Sequence, residues 1–199
     1  MEKNQPKIVV ESPEKDILDA IKLIDKFLQL NNITFKYSIN INHSLDCHGV
    51  FYPEKENEIC VNPSFLAKSS IREVHDKKYS MDYSLFGVSV HEFTHAFSEK
   101  HGLNEEYKKL FKEKTIINSN CLTYRFEELA ELFSLYLVNP YFLKHIALEP
   151  YNFLKEKYIS PTPTIKASFL GAWRKWGQAA RHQCKSKWGI HAHGNKVFV

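Results

Sequence analysis

The stretch from Val90 to His95 reads Val-His-Glu-Phe-Thr-His, and it constrains the fold of this chain more than any other segment. Four apolar residues surround and interrupt it at intervals of four, three and four positions: Phe86, Val90, Phe93 and Phe97. Apolar side chains at that spacing share one face of an α-helix, and the two histidines and the glutamate lie off that face. The segment therefore predicts a helix with one side anchored in the core and the other side facing a cleft. Asp82 is the predicted N-cap of this helix and Gly102 its predicted C′ residue.

His91 and His95 are one helical turn apart, so their rings can point to the same place beside the helix. Zinc binds imidazole nitrogens, and a catalytic zinc site needs a third protein ligand. Glu92 would lie beside the water that the metal activates, where it can act as the general base. The alternative interpretation of this motif is a helix that carries two surface histidines.

A second predicted helix follows from Thr123, its N-cap, to about Val138, with Phe126 and Phe133 among its core residues. Glu127 and Glu131 share its opposite face. They are either solvated charges, or Glu127 is the third zinc ligand and Glu131 holds the far nitrogen of a ligand histidine. If Glu128 were the ligand, the residue four positions later would be Leu132, which has no carboxylate to hold a ligand histidine. Glu127 is therefore the preferred ligand.

These two motifs, His91-Glu92-Phe93-Thr94-His95 and Glu127-x-x-Ala130-Glu131, resemble the gluzincin metallopeptidases. The similarity is greatest to the compact ImmA/IrrE-type and anthrax-lethal-factor-type peptidases, and it covers about residues 48–140. The resemblance implies an α+β, zincin-like fold in which a small antiparallel sheet packs on the active-site helix and on a second, glutamate-bearing helix. It also implies one catalytic Zn²⁺ and a zinc-dependent endopeptidase that hydrolyses a protein or peptide substrate.

Such enzymes usually add a tyrosine or histidine that donates a hydrogen bond to the oxyanion. Tyr124 is the preferred candidate for this catalytic role, although packing in the core or at the cleft rim explains it equally well. Tyr107, His101 and His145 are lesser candidates. Gluzincins also present a sheet edge to the substrate, and residues 50–52 or 59–61 could form it; an ordinary sheet is the alternative.

The remaining pattern predicts a domain over residues 1–159. Ser12 and Pro13 can open a helix with Ile17, Ile21, Ile24 and Leu28 on its apolar face. Strict alternation over 33–41 predicts a half-buried strand, and residues 50–52 and 59–61 predict a hairpin. Asn104 is the predicted cap of a short helix in which Glu105 pairs with Lys109, and Asn139-Pro140 ends the helix of Glu127.

Residues 160–199 form a predicted Pro/Thr linker and a basic, tryptophan-rich segment, which either docks on the same domain or binds nucleic acid or a partner protein. From Lys157 onward there are eight Lys or Arg residues and no acidic residue, so this segment has a charge of +8. The chain as a whole has a net charge of +4, so the first 156 residues have a net charge of −4. Aromatic and cationic side chains alternate there, a pattern that can bind phosphates with stacking support. The candidate binding residues are Trp173, Arg174, Lys175, Trp176, Arg181, Lys185 and Lys187. A zincin fold that serves as a regulatory or structural protein through this segment is the alternative function.

No signal peptide or apolar run of membrane-spanning length is evident, so the chain is expected in the cytoplasm, with its oligomeric state open. The four cysteines, Cys47, Cys60, Cys121 and Cys184, form no C-x-x-C pair and are expected as free thiols.

Overall fold

The structure is a computed structural model, and it describes residues 12–64, 84–113, 115 and 125–162. Within these residues it is an α+β fold with six α-helices and a three-stranded sheet. The strands are β1 (Ser38–Ile41), β2 (Gly49–Tyr52) and β3 (Glu58–Val61). The helices are α1 (Pro13–Leu30), α2 (Leu85–Lys100), α3 (Leu103–Leu110), α4 (Arg125–Val138), α5 (Pro140–Ile146) and α6 (Leu148–Lys157).

The sheet has the order β1-β3-β2 and is mixed, not purely antiparallel as the sequence predicted. The predicted hairpin is confirmed: β2 runs antiparallel to β3, joined by a short 3₁₀ turn at Pro53–Lys55. β1 instead pairs with β3 in parallel. It contains only the last four residues of the alternating stretch 33–41. The predicted half-buried alternation is confirmed over residues 33–40, where Ile33, Phe35, Tyr37 and Ile39 are partly buried and the residues between them are exposed. Residues 33–37 make no strand pairing because they cross over α2, where Phe35 contacts Phe93 and Phe97.

The core lies where α1, α2 and α4 meet. Phe27 of α1 contacts Phe93, Phe97 and Phe133 with ring centroids 6.4, 5.3 and 5.7 Å apart, all edge-on. Edge-to-face pairs of this kind add to the hydrophobic burial of each ring. The apolar face predicted for the motif helix is therefore confirmed: Phe86, Val90, Phe93 and Phe97 are all buried.

The motif helix begins at Leu85, and its N-cap is Ser84 rather than the predicted Asp82. The Ser84 hydroxyl accepts the Gly87 N–H at 3.0 Å. The carboxylate of Asp16, in α1, also accepts backbone N–H groups of this first turn, and burial raises its pKa. Two acceptors therefore satisfy the donors that a helix leaves open at its start.

Two further predictions, one of an N-cap and one of an ion pair, are wrong. Gly102, at φ 66°, ends α2 as expected but also serves as the N-cap of α3, in place of Asn104. Glu105 pairs with Lys108 at 2.8 Å, not with Lys109. Asn139 ends α4 as predicted, yet its side chain accepts the Phe142 N–H and so starts α5 immediately.

The residues that follow α6, up to Thr162, are hydrogen-bonded to the helices of the domain. Asn31 makes two hydrogen bonds with the backbone of Ile159, at 2.9 and 2.7 Å. The Thr162 hydroxyl donates to the Leu137 carbonyl at 2.8 Å, and Thr162 is buried. The described start of the predicted Pro/Thr linker is thus docked. The chain divides into two units, Met1–Pro163 and Thr164–Val199, and the second unit lies outside the described residues.

Candidate metal centre

Helices α2 and α4 bring the two sequence motifs together, and a buried threonine sets their spacing. The Thr94 hydroxyl lies 3.0 Å from the Ala130 carbonyl of α4 and 2.8 Å from the His91 carbonyl of its own helix. Ser134 donates to the same Ala130 carbonyl at 2.6 Å. These bonds are inaccessible to solvent, so they stabilise one register between the helices.

Three potential ligand atoms converge beside this crossing. The Nε2 atoms of His91 and His95 are 3.0 Å apart. The Glu127 carboxylate lies 3.2 Å from Nε2 of His91 and 3.5 Å from Nε2 of His95. All three residues form a group whose donor atoms lie within 4.8 Å of one another, which is compatible with a bound metal ion.

The donor set fits zinc. Two imidazole nitrogens and one carboxylate are a common protein ligand set for catalytic zinc, and a fourth position stays open. Tetrahedral ligands at about 2.0–2.1 Å from zinc are separated by about 3.3–3.4 Å. The observed separations of 3.0 to 3.5 Å therefore need adjustments of only a few tenths of an ångström.

Two buried carboxylates on α4 point towards different residues. Glu131 lies with one oxygen 3.7 Å from Nδ1 of His91, the nitrogen away from the converging atoms. Glu128 accepts the Tyr107 hydroxyl at 2.8 Å and the Thr115 N–H at 2.7 Å. Both glutamates are fully buried. Glu128 thus joins α4 to α3 and to residue 115, whereas Glu127 and Glu131 face the histidines.

The electrostatics of the cluster suit cation binding. Burial raises the pKa of Glu127, but hydrogen bonds and charge from His91 and His95 outweigh it and hold that pKa far below its usual range. Burial lowers the pKa of His95 against the opposing effect of Glu127. An ionised carboxylate and a neutral imidazole are the forms that bind a metal.

The converging atoms open into a cleft of about 650 Å³, a size in the range of ligand sites. One wall is the segment from Cys47 to Phe51, which contains most of β2, and the other includes Glu92 and Glu99 of α2. Glu92 is half-buried beside His91. Gly49, the first residue of β2, lies so close to α2 that a Cβ atom there would be 2.9 Å from Cγ of Glu92.

Phe126 also lines this cleft, although the sequence placed it in the core. Its side chain is 41 % exposed, and its ring lies 5.7 Å from that of His95. The prediction failed because Phe126 stands in the first turn of α4, beyond the part of the helix that the aromatic core covers. Its apolar ring therefore forms part of the cleft wall.

None of the three lesser candidates for an oxyanion donor lines this cleft. The Tyr107 hydroxyl binds Glu128, and the His101 ring stacks on Phe97 with centroids 4.2 Å apart. His145 is an exposed residue of α5. The preferred candidate, Tyr124, lies outside the described residues, as does the predicted N-cap Thr123.

The basic segment also lies outside the described residues, so the predicted roles of Trp173, Arg174, Lys175, Trp176, Arg181, Lys185 and Lys187 stay predictions. In the described part of the chain, Cys47 and Cys60 are free thiols, as expected. None of the described helices is both long and apolar enough to cross a membrane.

Sequence reasoning missed two residues of this region. Thr94 lies in the interior of the motif helix, where a polar side chain that is buried needs a buried partner. Gly49 is one of only seven glycines and directly precedes a predicted strand, which is a signal for close backbone approach. Neither signal names the partner, which depends on how the elements pack.

Comparisons with protein-family models, with curated proteins and with solved structures find no match to this chain. The assignment of a function therefore depends on the residues and their geometry.

Proposed function

We propose that this chain is a zinc-dependent endopeptidase with a zincin-like arrangement of α2, α4 and the edge strand β2. The observation that carries the proposal is the convergence of His91, His95 and Glu127 next to Glu92 at the base of an open cleft. If these side chains were ordinary solvated residues of the surface, nothing would require their ligand atoms to converge at one point.

In this proposal His91, His95 and Glu127 hold the ion, and Glu131 orients His91. Zinc, when bound, supplies a Lewis acid that polarises a carbonyl group and makes water a stronger acid. The neighbouring carboxylate of Glu131 favours the tautomer of His91 that has its proton on Nδ1, which leaves Nε2 free to act as a ligand.

Glu92 is the general base. It takes a proton from the attacking water as the new C–O bond forms at the peptide carbonyl. It then delivers that proton to the amine nitrogen as the C–N bond breaks. The half-buried position of Glu92 in the cleft wall keeps the carboxylate accessible to both groups.

The strand β2 supplies a surface for the substrate backbone. The Asn62 N–H donates to the His48 carbonyl at 2.8 Å, so residues 48, 50 and 52 point their backbone groups at β3. Gly49 and Phe51 then point theirs to the opposite side, away from β3. The Cys47 thiol donates to the Gly49 carbonyl at 3.2 Å, a position that a substrate N–H could take instead. An extended peptide can therefore add to this edge as a further strand.

The test measures metal content and peptide cleavage on the full chain. We expect about one equivalent of zinc by elemental analysis, in line with a single catalytic site. Incubation with a random-sequence peptide library should produce new N-termini detectable by mass spectrometry, and a chelator should prevent their formation. The Glu92→Gln variant should keep its zinc and lose activity by about 10²–10⁴-fold, the contribution of a general base.

Protein without zinc, or cleavage that survives in Glu92→Gln, would contradict the proposal. Zinc near one equivalent without cleavage of any peptide would favour the alternative function, a regulatory or structural protein that keeps the zincin site. A biological effect that persists in Glu92→Gln would favour the same alternative.

A further inference from the structure

The backbone of β2 approaches the helix of the proposed base more closely than any residue with a side chain allows. A Cβ atom at Gly49 would lie 2.6 Å from Cγ1 of Val88, 2.9 Å from Cγ of Glu92 and 3.2 Å from Oε1 of Glu92. Carbon–carbon contacts are favourable at about 3.5–4.0 Å, so the first two distances are strong overlaps. The position therefore requires glycine at this separation of strand and helix.

Neither Val88 nor Glu92 can easily move away to make room for a Cβ atom at position 49. Val88 is 1 % exposed, and a valine in a helix has one strongly preferred χ1 rotamer. Cγ of Glu92 is the atom next to Cβ, so it moves only if χ1 of Glu92 changes. A side chain at position 49 would therefore either push β2 away from α2 or turn Glu92 into another rotamer.

We infer that Gly49 is a positioning residue for Glu92, an inference that rests on the proposed function. The absent side chain lets the strand backbone serve as a wall against which the Glu92 side chain is held. The same close approach places the outward backbone groups of Gly49 beside that carboxylate. A substrate strand paired at Gly49 would thus present its carbonyl next to the base, which is the alignment that hydrolysis needs.

The first measurement is the Gly49→Ala variant of the full chain. We expect it to retain about one equivalent of zinc, since Gly49 supplies no ligand, and to lose kcat by at least about 10-fold, because misplaced catalytic groups are costly. A matched control is Gly102→Ala, which also replaces a glycine but meets no atom within 4 Å. Because Gly102 also lines the cleft, this variant is a control for stability only: its φ of 66° costs stability, and the loss of Tm should be the same in the wild-type and Glu92→Ala backgrounds.

The second measurement separates displacement of Glu92 from general damage to the fold. In a Val88→Ala background the worst overlap is gone, while the overlap with Glu92 remains. Gly49→Ala should there lower Tm less than in the wild-type background and still lower kcat. In a Glu92→Ala background, without Cγ and Oε1, the Tm loss caused by Gly49→Ala should also shrink, which is the signature of a direct contact in a double-mutant cycle.

A Gly49→Ala protein with kcat within twofold of wild type overturns the inference. So does a Tm loss that is the same in the wild-type and Glu92→Ala backgrounds. If the wild-type protein binds zinc and cleaves nothing, the proposed function fails, but the Tm cycle still accepts or rejects the contact between Gly49 and Glu92. The two failures are therefore distinguishable.

Discussion

The two buried glutamates of α4 allow a sharp prediction, because they are alike in burial and differ in what they face. Glu131 approaches Nδ1 of His91 to 3.7 Å, and Glu128 binds Tyr107 and Thr115. Replacing Glu131 with glutamine keeps the shape and removes the carboxylate that lies beside Nδ1 of His91. We expect the zinc affinity to fall about 10–100-fold. That range corresponds to about 1.4–2.7 kcal/mol of binding free energy.

Glu128→Gln is the matched control, a change of the same size three residues away on the same helix. It weakens two hydrogen bonds to a buried carboxylate, and bonds to charged groups contribute about 1.5–3 kcal/mol each. A glutamine oxygen keeps part of that, so we expect the unfolding free energy of the metal-free protein to fall by about 1–3 kcal/mol. The zinc affinity should stay within about twofold, because Glu128 faces away from His91 and His95.

Both quantities are accessible with purified protein. Competition against a chelator of known affinity measures the zinc Kd, and urea titration in the presence of excess chelator measures the stability of the metal-free form. The reasoning is refuted if Glu131→Gln leaves the Kd within twofold of wild type. It is equally refuted if Glu128→Gln weakens zinc binding tenfold or more, since that result would make Glu128 part of the metal centre.

Three further predictions concern the helix crossing, alkaline pH and the metal. Replacing Thr94 with valine, which has nearly the same shape, should lower the unfolding free energy by about 1–3 kcal/mol, because it removes a buried bond between α2 and α4; a change below about 0.5 kcal/mol in urea titrations would contradict this role. Burial raises the pKa of Tyr136 and of Tyr158 from 10.0 to about 12. The folded state therefore holds these protons more tightly than the unfolded state, so their contribution to stability is complete below about pH 10 and is lost as the pH rises towards 12. Urea midpoints measured at successive pH values should fall across that window, and a constant midpoint would speak against it. Zinc at 100 times its Kd should stabilise the fold by about 2.7 kcal/mol, or about 5–11 °C in Tm; a Glu127→Ala protein with the same zinc-dependent shift would show that the ion binds elsewhere.

Much of the core and of the candidate metal group could be predicted from the chain alone. The apolar side of α2 and the hairpin of β2 and β3 follow local rules, since a helix repeats every 3.6 residues and a strand every two. The spacing of His91 and His95 by one turn is likewise a local property. Glu127 and Glu131, four positions apart, repeat that one-turn spacing on α4.

Other features depend on contacts between distant residues, and there the sequence predictions were incomplete or wrong. The alternating residues 33–41 show the pattern of a long strand, but the first five cross over the aromatic core and only the last four pair with β3. Phe126 has the spacing of a core residue and instead lines the cleft, because the first turn of α4 extends past the packed helices. The Asp82 cap is replaced by Ser84, with a contribution from Asp16 of α1 that no local pattern contains.

The sequence by itself determined which side chains could bind a metal, because their chemistry and one-turn spacing are properties of single helices. Only the tertiary structure turned the sequence's preference for Glu127 over Glu128 into an observed arrangement in which Glu127 faces the histidines, since adjacent residues on a helix point about 100° apart and packing selects one direction. It also decided that a glycine lies against Glu92. That contact joins a strand to a helix about forty residues away, a distance over which no periodic pattern carries information.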